Sequence, residues 1–179
     1  MATITREPMR PYRSNSIGNF PTTSFFEATS QSVLSGNNVN QLVDLSSGRI
    51  RKANATAPNA SLAASVTPVG IVTEPFTNRT ATSNNKNTQL EVYTTAPPVS
   101  FRANVCLNRA DQSLTAAMVG SKYGLLNLSS GGGSGIWTVN FGQTTNTYVT
   151  VLSLIDEIGD VNGAVEFTFE NDKVLPWGA

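Results

Sequence analysis

GIWTVNFGQTTNTYVTVLSLIDEIGDVNGAVEFTF, residues 135–169, is the stretch on which the fold turns. Ile136 to Phe141 alternates, with Trp137, Val139 and Phe141 on one face and Thr138 and Asn140 on the other. Tyr148 to Ile155 is apolar on both faces, as in a strand covered from two sides. Ala164 to Phe169 alternates again, Val165, Phe167 and Phe169 against Glu166 and Thr168. A period of two in β-branched and aromatic residues, bounded by Gly, Asn and Asp, marks strands that pack one face on a core. The stretch predicts a three-stranded β-meander.

The rest of the chain has the same character. Of 179 residues only 13% are charged, about half the usual share. Ser, Thr and Asn fill the gap with 18, 21 and 18 residues. Long exposed helices draw on Glu, Lys, Arg and Ala, so this mix favours strands and turns. Net charge is zero but uneven: residues 1–52 hold six Lys/Arg against three acids, and residues 150–179 one Lys against six acids. The two ends can therefore attract each other, within one chain or between neighbours. There is no dense basic stripe to bind nucleic acid. There is no apolar run long enough to span a membrane, and residues 1–16 lack the apolar segment of a secretory signal.

Residues 1–38 read as an extended arm ahead of a β domain at 39–179. Pro8, Pro11 and Pro21 interrupt any helix. Arg6, Arg10 and Arg13 are interleaved with Tyr12, and Phe20, Phe25 and Phe26 follow. Disordered tails are poor in aromatics, so this arm either packs back on its own domain or orders on a partner, and the second is expected. These seven side chains are the candidate contacts to a partner or a neighbouring subunit. Beyond them, Leu42 to Leu45 and Arg49 to Ala53 form a hairpin about Ser46-Ser47-Gly48. Val66 to Val72 is a strand in which Pro68 signals an edge or a bulge. Residues 54–63 are a connector and 77–88 a polar surface loop. Leu90 to Thr94 and Phe101 to Leu107 are strands, and Leu114 to Leu128 is a turn leading into a strand at Tyr123 to Leu126. The Gly-rich run at 129–135 is a flexible link. About eight short antiparallel strands make an all-β domain, a small barrel or sandwich, with a barrel preferred.

Chemistry is hard to place on this chain. Histidine is absent, which removes Ser-His-Asp and Cys-His arrangements. Cys106, alone within Val105-Cys106-Leu107, reads as a buried structural thiol rather than a nucleophile. Gly131-Gly132-Gly133 lacks the Lys-Ser/Thr pair of a phosphate loop. Asp156, Glu157 and Asp160 could supply oxygens to calcium, but Asp-Asn-Gly chemistry in a hairpin turn explains them better. No catalytic residue, metal site or cofactor is expected.

Two segments resemble known proteins. Leu42-Val43-Asp44-Leu45-Ser46-Ser47-Gly48-Arg49-Ile50-Arg51-Lys52-Ala53, followed by Pro68-Val69-Gly70-Ile71-Val72, resembles a motif of tailed-bacteriophage virion proteins: strand, Gly turn, basic strand ending in Ala, link, and a P-V-G-I-A-like strand. It departs from that form in its polar link and in Val72-Thr73-Glu74. Val119 to Leu125, Gly135 to Asn140 and Asn162 to Phe167 look like the C-terminal half of small phage structural proteins, often head decoration or cement proteins. The resemblance implies a non-enzymatic protein on the outer surface of a capsid, bound to the major capsid protein and to copies of itself, commonly as a homotrimer. A tail or fibre component is the second reading. A carbohydrate-binding module is the third, with Trp137, Tyr123 and Tyr148 stacking on sugar beside Asp156 and Glu157.

Overall fold

The computed structural model describes residues 1–14, 20–26, 42–46, 49–53, 61–72, 89–95, 99–128 and 136–174. They form eleven strands and one 3₁₀ turn, Ala116–Met118, in two sheets. The fold is all-β, as the alternation predicts.

The larger sheet contains a closed ring. Its strands are β7 (Ser100–Cys106), β8 (Lys122–Leu128), β9 (Ile136–Asn140), β10 (Val149–Leu154) and β11 (Ala164–Phe169). Their order is β7-β11-β10-β8-β9, and a parallel pairing of β9 with β7 closes it. Closure removes the exposed edges that would otherwise invite foreign strands. A sixth strand, β1 (Arg10–Arg13), lies on the first half of β7, with Arg10 opposite Arg102 and Pro11 opposite Phe101. The second half of the same edge takes β9, Val105 opposite Val139.

The meander is half right. β10 and β11 form the expected hairpin, but β8 lies between β9 and β10. The start of β8 pairs with β10, Tyr123 opposite Val149, while the rest pairs with β9, Gly124 through Leu128 opposite Asn140 back to Ile136. Nor is β10 covered on both sides throughout. The register slips between Val151 and Ser153, so Leu152 is the extra residue of a bulge and is 45% exposed.

The second sheet is antiparallel, in the order β2 (Thr22–Phe26), β6 (Gln89–Thr94), β5 (Pro68–Val72), β3 (Leu42–Ser46), β4 (Arg49–Lys52). The β3–β4 hairpin is as predicted. β5 is an interior strand, not an edge. Pro68 is tolerated there because it opens the strand opposite Asp44, where the register with β3 shifts. Two residues on, Gly70 allows β5 to lie close to β6: a Cβ at that position would overlap the Tyr93 carbonyl oxygen.

Both sheets feed one main core. Leu42 and Ile71 from the second sheet join Phe101, Val105, Trp137, Val139, Tyr148, Val165, Phe167 and Phe169 from the ring. Phe101, Phe167 and Phe169 pack mutually at 5.3–6.0 Å between ring centres. Each buried aromatic of this kind contributes about 1.5–3 kcal/mol. A smaller cluster of Val43, Ile50, Val69, Val72 and Val92 fills the other face of the second sheet, with Phe25 and Leu45 against it.

The expected arm is built into this architecture wherever it is described. β1 belongs to the barrel sheet, β2 is an end strand of the other, and Met9, just before β1, is completely buried in the main core. Of the two fates open to an aromatic-rich arm, these residues show packing on the chain's own domain. Residues 15–19 and 27–38 lie outside the described residues, as do 54–60, 77–88 and 129–135.

Candidate functional site

The seven arm residues are dispersed rather than gathered. Phe20 packs edge-on against Tyr93 at 5.7 Å, and Phe25 leans on the smaller core. The backbone of Phe26 pairs with Gln89; its side chain lies outside the described residues. Arg6 is turned inward: its Nη2 lies 2.7 Å from Asn162 Oδ1, and 3.2 Å from Ala110 O and from Asp111 Oδ1. Arg10 and Arg13 keep exposed side chains, 51% and 68%, on β1. Arg10 shares Glu7 Oε2 with Arg102, at 3.2 and 3.3 Å. The Arg13 guanidinium carbon lies 5.0 Å from the centre of the Tyr12 ring, and its Nε 3.7 Å from Glu166 Oε1. Tyr12, and then Glu166, hold Arg13 above its ordinary pKa by favouring its charged form. The basic amino-terminal region thus does meet the acidic carboxy-terminal one, within a single chain.

Residues 1–6, the 107–121 loop and the 155–163 connector together build one end of the barrel. Thr3 and Ser113 both bridge to Val161. Ala2 N donates to Asp160 Oδ1 at 2.7 Å, and Ala164 N to Asp156 Oδ2 at 2.7 Å. The two aspartates of the supposed ion site are therefore occupied in holding backbone N–H groups, as turn residues do. Among the described residues, no group of three or more His, Cys, Asp or Glu side chains is placed to hold a metal ion. Asparagines complete the frame. Asn104 accepts from Glu7 N (2.7 Å) and donates to Asn162 O (2.7 Å), and Asn162 takes a left-handed φ of 58° that suits its short amide.

One turn at this end is strained. Leu107 and Ala110 exchange backbone hydrogen bonds of 3.1 and 2.9 Å around Asn108 and Arg109, whose φ values are 48° and 85°. Two left-handed residues in a two-residue turn are the type I′ geometry, which favours Asn then Gly. Asn108 fits, and Asn140 Oδ1 caps its N–H at 2.9 Å. Arg109 stands where Gly belongs, at a cost of about 1–2 kcal/mol.

Other groups singled out in the sequence are structural. Cys106 is buried, its sulfur 3.1 Å from Thr138 Oγ1. Trp137 and Tyr148 are 1% and 0% exposed, so neither offers a face for sugar stacking; Tyr123 packs edge-on against Phe141 at 4.2 Å. Sequence reasoning missed Glu166, which alternation assigns to the solvent face. It is 5% exposed, because Ser100 Oγ (2.7 Å) and Ser153 Oγ (2.8 Å) each donate to one of its oxygens and Arg13 reaches over them. Among the described residues, no helix is long and apolar enough to cross a membrane.

No family model, curated protein or solved structure matches the chain.

Proposed function

We propose that the chain is a non-enzymatic structural protein of a tailed-phage virion, seated on the outer surface of the head as a decoration or cement protein. One observation carries the reading: the residues that resemble the virion motif form a contiguous unit. Leu42–Ser46, Arg49–Lys52 and Pro68–Val72 are the neighbouring strands β4-β3-β5, and the Gly of the P-V-G-I segment stands where a Cβ would overlap the Tyr93 carbonyl oxygen of β6. Two of the three acids best placed by sequence for chemistry, Asp156 and Asp160, are spent on backbone contacts, which suits a structural role. On this reading the partners are the major capsid protein and neighbouring copies of the chain. Arg10 and Arg13, exposed on β1 beside Tyr12, are the arm residues available to a capsid surface.

The test uses phage heads lacking the protein. Purified chain should decorate them in hundreds of copies, whereas a dozen or fewer copies per virion would move the protein to the tail or a fibre. Deleting residues 1–38 is a poor probe, since it removes β1, β2 and Met9 and with them parts of both sheets. The double variant Arg10→Glu, Arg13→Glu leaves the core alone. Undiminished decoration by that variant, in a protein that still melts cooperatively, would remove the arm arginines from the contact.

A further inference from the structure

Asn162-Gly163 is the one Asn-Gly pair in the chain, and the fold makes use of both residues. Asn162 holds its left-handed φ of 58° while its N–H donates to Gln112 O at 2.7 Å and its carbonyl accepts from Asn104 Nδ2 at 2.7 Å. At Gly163 a Cβ would stand 2.5 Å from Leu114 Cδ1 and 2.9 Å from its Cγ, so a side chain there would displace buried Leu114. The same pair is the one most prone to deamidate, because glycine has no side chain to hinder its own amide nitrogen. In that reaction Gly163 N bonds to Asn162 Cγ, and Nδ2 leaves as ammonia with the Gly163 amide proton. Water then opens the cyclic imide at either carbonyl, to aspartate or isoaspartate.

The side-chain amide of Asn162 is held at both ends. Arg6 Nη2 donates to Oδ1 at 2.7 Å and Gln112 N to the same oxygen at 3.3 Å, while Nδ2 donates to Asp111 Oδ1 at 2.8 Å. Arg6 also reaches Asp111 Oδ1 at 3.2 Å, so guanidinium and carboxylate brace each other as well as the amide. At 5% exposure the residue is also shielded from water. Closing the imide moves Cγ onto Gly163 N and expels Nδ2, so the amide must first leave these partners. The rate then follows the fraction of time the site is open. Gln112 and Asp111 belong to the 107–121 loop, whereas Arg6 comes from the amino-terminal segment. The barrel would feel the product. An aspartate at 162 sets a carboxylate oxygen where Nδ2 now faces Asp111, and isoaspartate adds a backbone carbon just ahead of β11.

We propose that Asn162 is a deamidation site kept closed by the docked amino-terminal segment, with Arg6 as its guard. While Arg6 holds Oδ1 the amide stays off Gly163 N, and once Arg6 lets go the reaction can begin. The inference does not rest on the virion reading.

Peptide mapping by mass spectrometry tests it, on the full chain incubated at mildly alkaline pH, by following aspartate and isoaspartate at position 162. In the native protein Asn162 should convert at least about tenfold more slowly than in the same chain unfolded in urea. Arg6→Ala should raise the native rate about tenfold, as expected for the loss of one charge-assisted hydrogen bond, and Arg6→Lys, which keeps the charge, should fall between. Val139→Ala destabilises the main core without touching the site and should leave the rate near that of the wild type. If Arg6→Ala fails to fold, Arg6→Lys against wild type decides. Conversion as fast in the native protein as in urea would overturn the proposal. So would arginine variants no faster than wild type, or a Val139→Ala protein as fast as they are.

Discussion

Asn127 on β8 and Trp137 on β9 stand directly opposite each other, and each buries a polar atom that meets no partner among the described residues: the amide Oδ1 and the indole Nε1. Opposed residues of an antiparallel pair project to the same face. An unsatisfied acceptor and an unsatisfied donor therefore share one part of the barrel interior. Each such group carries a desolvation penalty of about 1–3 kcal/mol. Asn127→Leu keeps the branched shape and removes the orphan acceptor, so stability should hold or rise by about 1 kcal/mol in urea denaturation. A fall of more than about 2 kcal/mol would show that the amide is satisfied in solution, as by a buried water bridging to the indole.

Glu166 predicts the opposite behaviour for a polar group fully provided for. Its two oxygens accept from Ser100 and Ser153, one each, with Arg13 at the rim. Glu166→Ala removes a charged acceptor and leaves two buried hydroxyls to find new partners, at a cost of about 2–4 kcal/mol. Ser100→Ala and Ser153→Ala should each cost about 1–2 kcal/mol, and their sum with Glu166→Ala should be clearly non-additive. Strict additivity in the double variants would mean that the three side chains do not act as one network.

The contrast between these two sites indicates how much of the molecule the sequence carries. Alternation in Trp137-Thr138-Val139 and Phe101-Arg102-Ala103 marks the core face correctly, since facing is a local property of a strand. What covers the other face is not local. Glu166 is hidden by a serine 66 residues away and by Arg13, 153 positions before it, and no pattern near Glu166 records either. Strand neighbours are equally non-local: nothing around Val149 says that it pairs with Tyr123 rather than with β9. Pro8 and Pro11 marked the start of the chain as irregular. Yet Pro11 sits on an end strand at a register slip, where a missing N–H does little harm. Among the arm residues expected at a contact, Arg10 and Arg13 keep their exposure. The left-handed φ of Arg109 carried no signal either, because it arises only once the turn between Leu107 and Ala110 has closed.

Arg109 offers a separate test of strain. Arg109→Gly should stabilise the isolated chain by up to about 1 kcal/mol, since relief of the left-handed conformation outweighs the added freedom of the unfolded state. Arg109→Asn should fall between the two, and Arg109→Val should lose about 1–2 kcal/mol or more, a β-branched residue being poorly suited to that φ. Melting temperatures in dilute solution rank the series. Loss of stability on Arg109→Gly would mean that the side chain contributes more than its backbone costs.

Tyr148 sets the alkaline limit. The ring is buried in the main core and its Oη, with its single proton, stands within hydrogen-bonding distance of both Ala63 O and, at 3.2 Å, Val66 O, tying the 61–66 segment to the barrel. Burial raises its pKa above the ordinary value of 10.0, because the phenolate would have to shed its hydration. An acid whose folded pKa is raised holds its proton more tightly in the folded state. Its contribution is complete below about pH 10 and is lost as pH climbs from there through the folded value. Lys122, raised by its bond to Glu170, adds to the same alkaline fall, so the comparison must be with Tyr148→Phe and not with neutral pH alone. At pH 7 the Phe variant should be about 1–2 kcal/mol less stable, from the loss of the one hydroxyl donor that the Ala63 and Val66 carbonyls share. Above about pH 10 the gap between variant and wild type should narrow, as the wild type begins to bear the cost of ionising a buried phenol. Urea titrations at a series of pH values measure it directly, and a gap that stays constant to about pH 11 would mean that Tyr148 ionises as readily folded as unfolded.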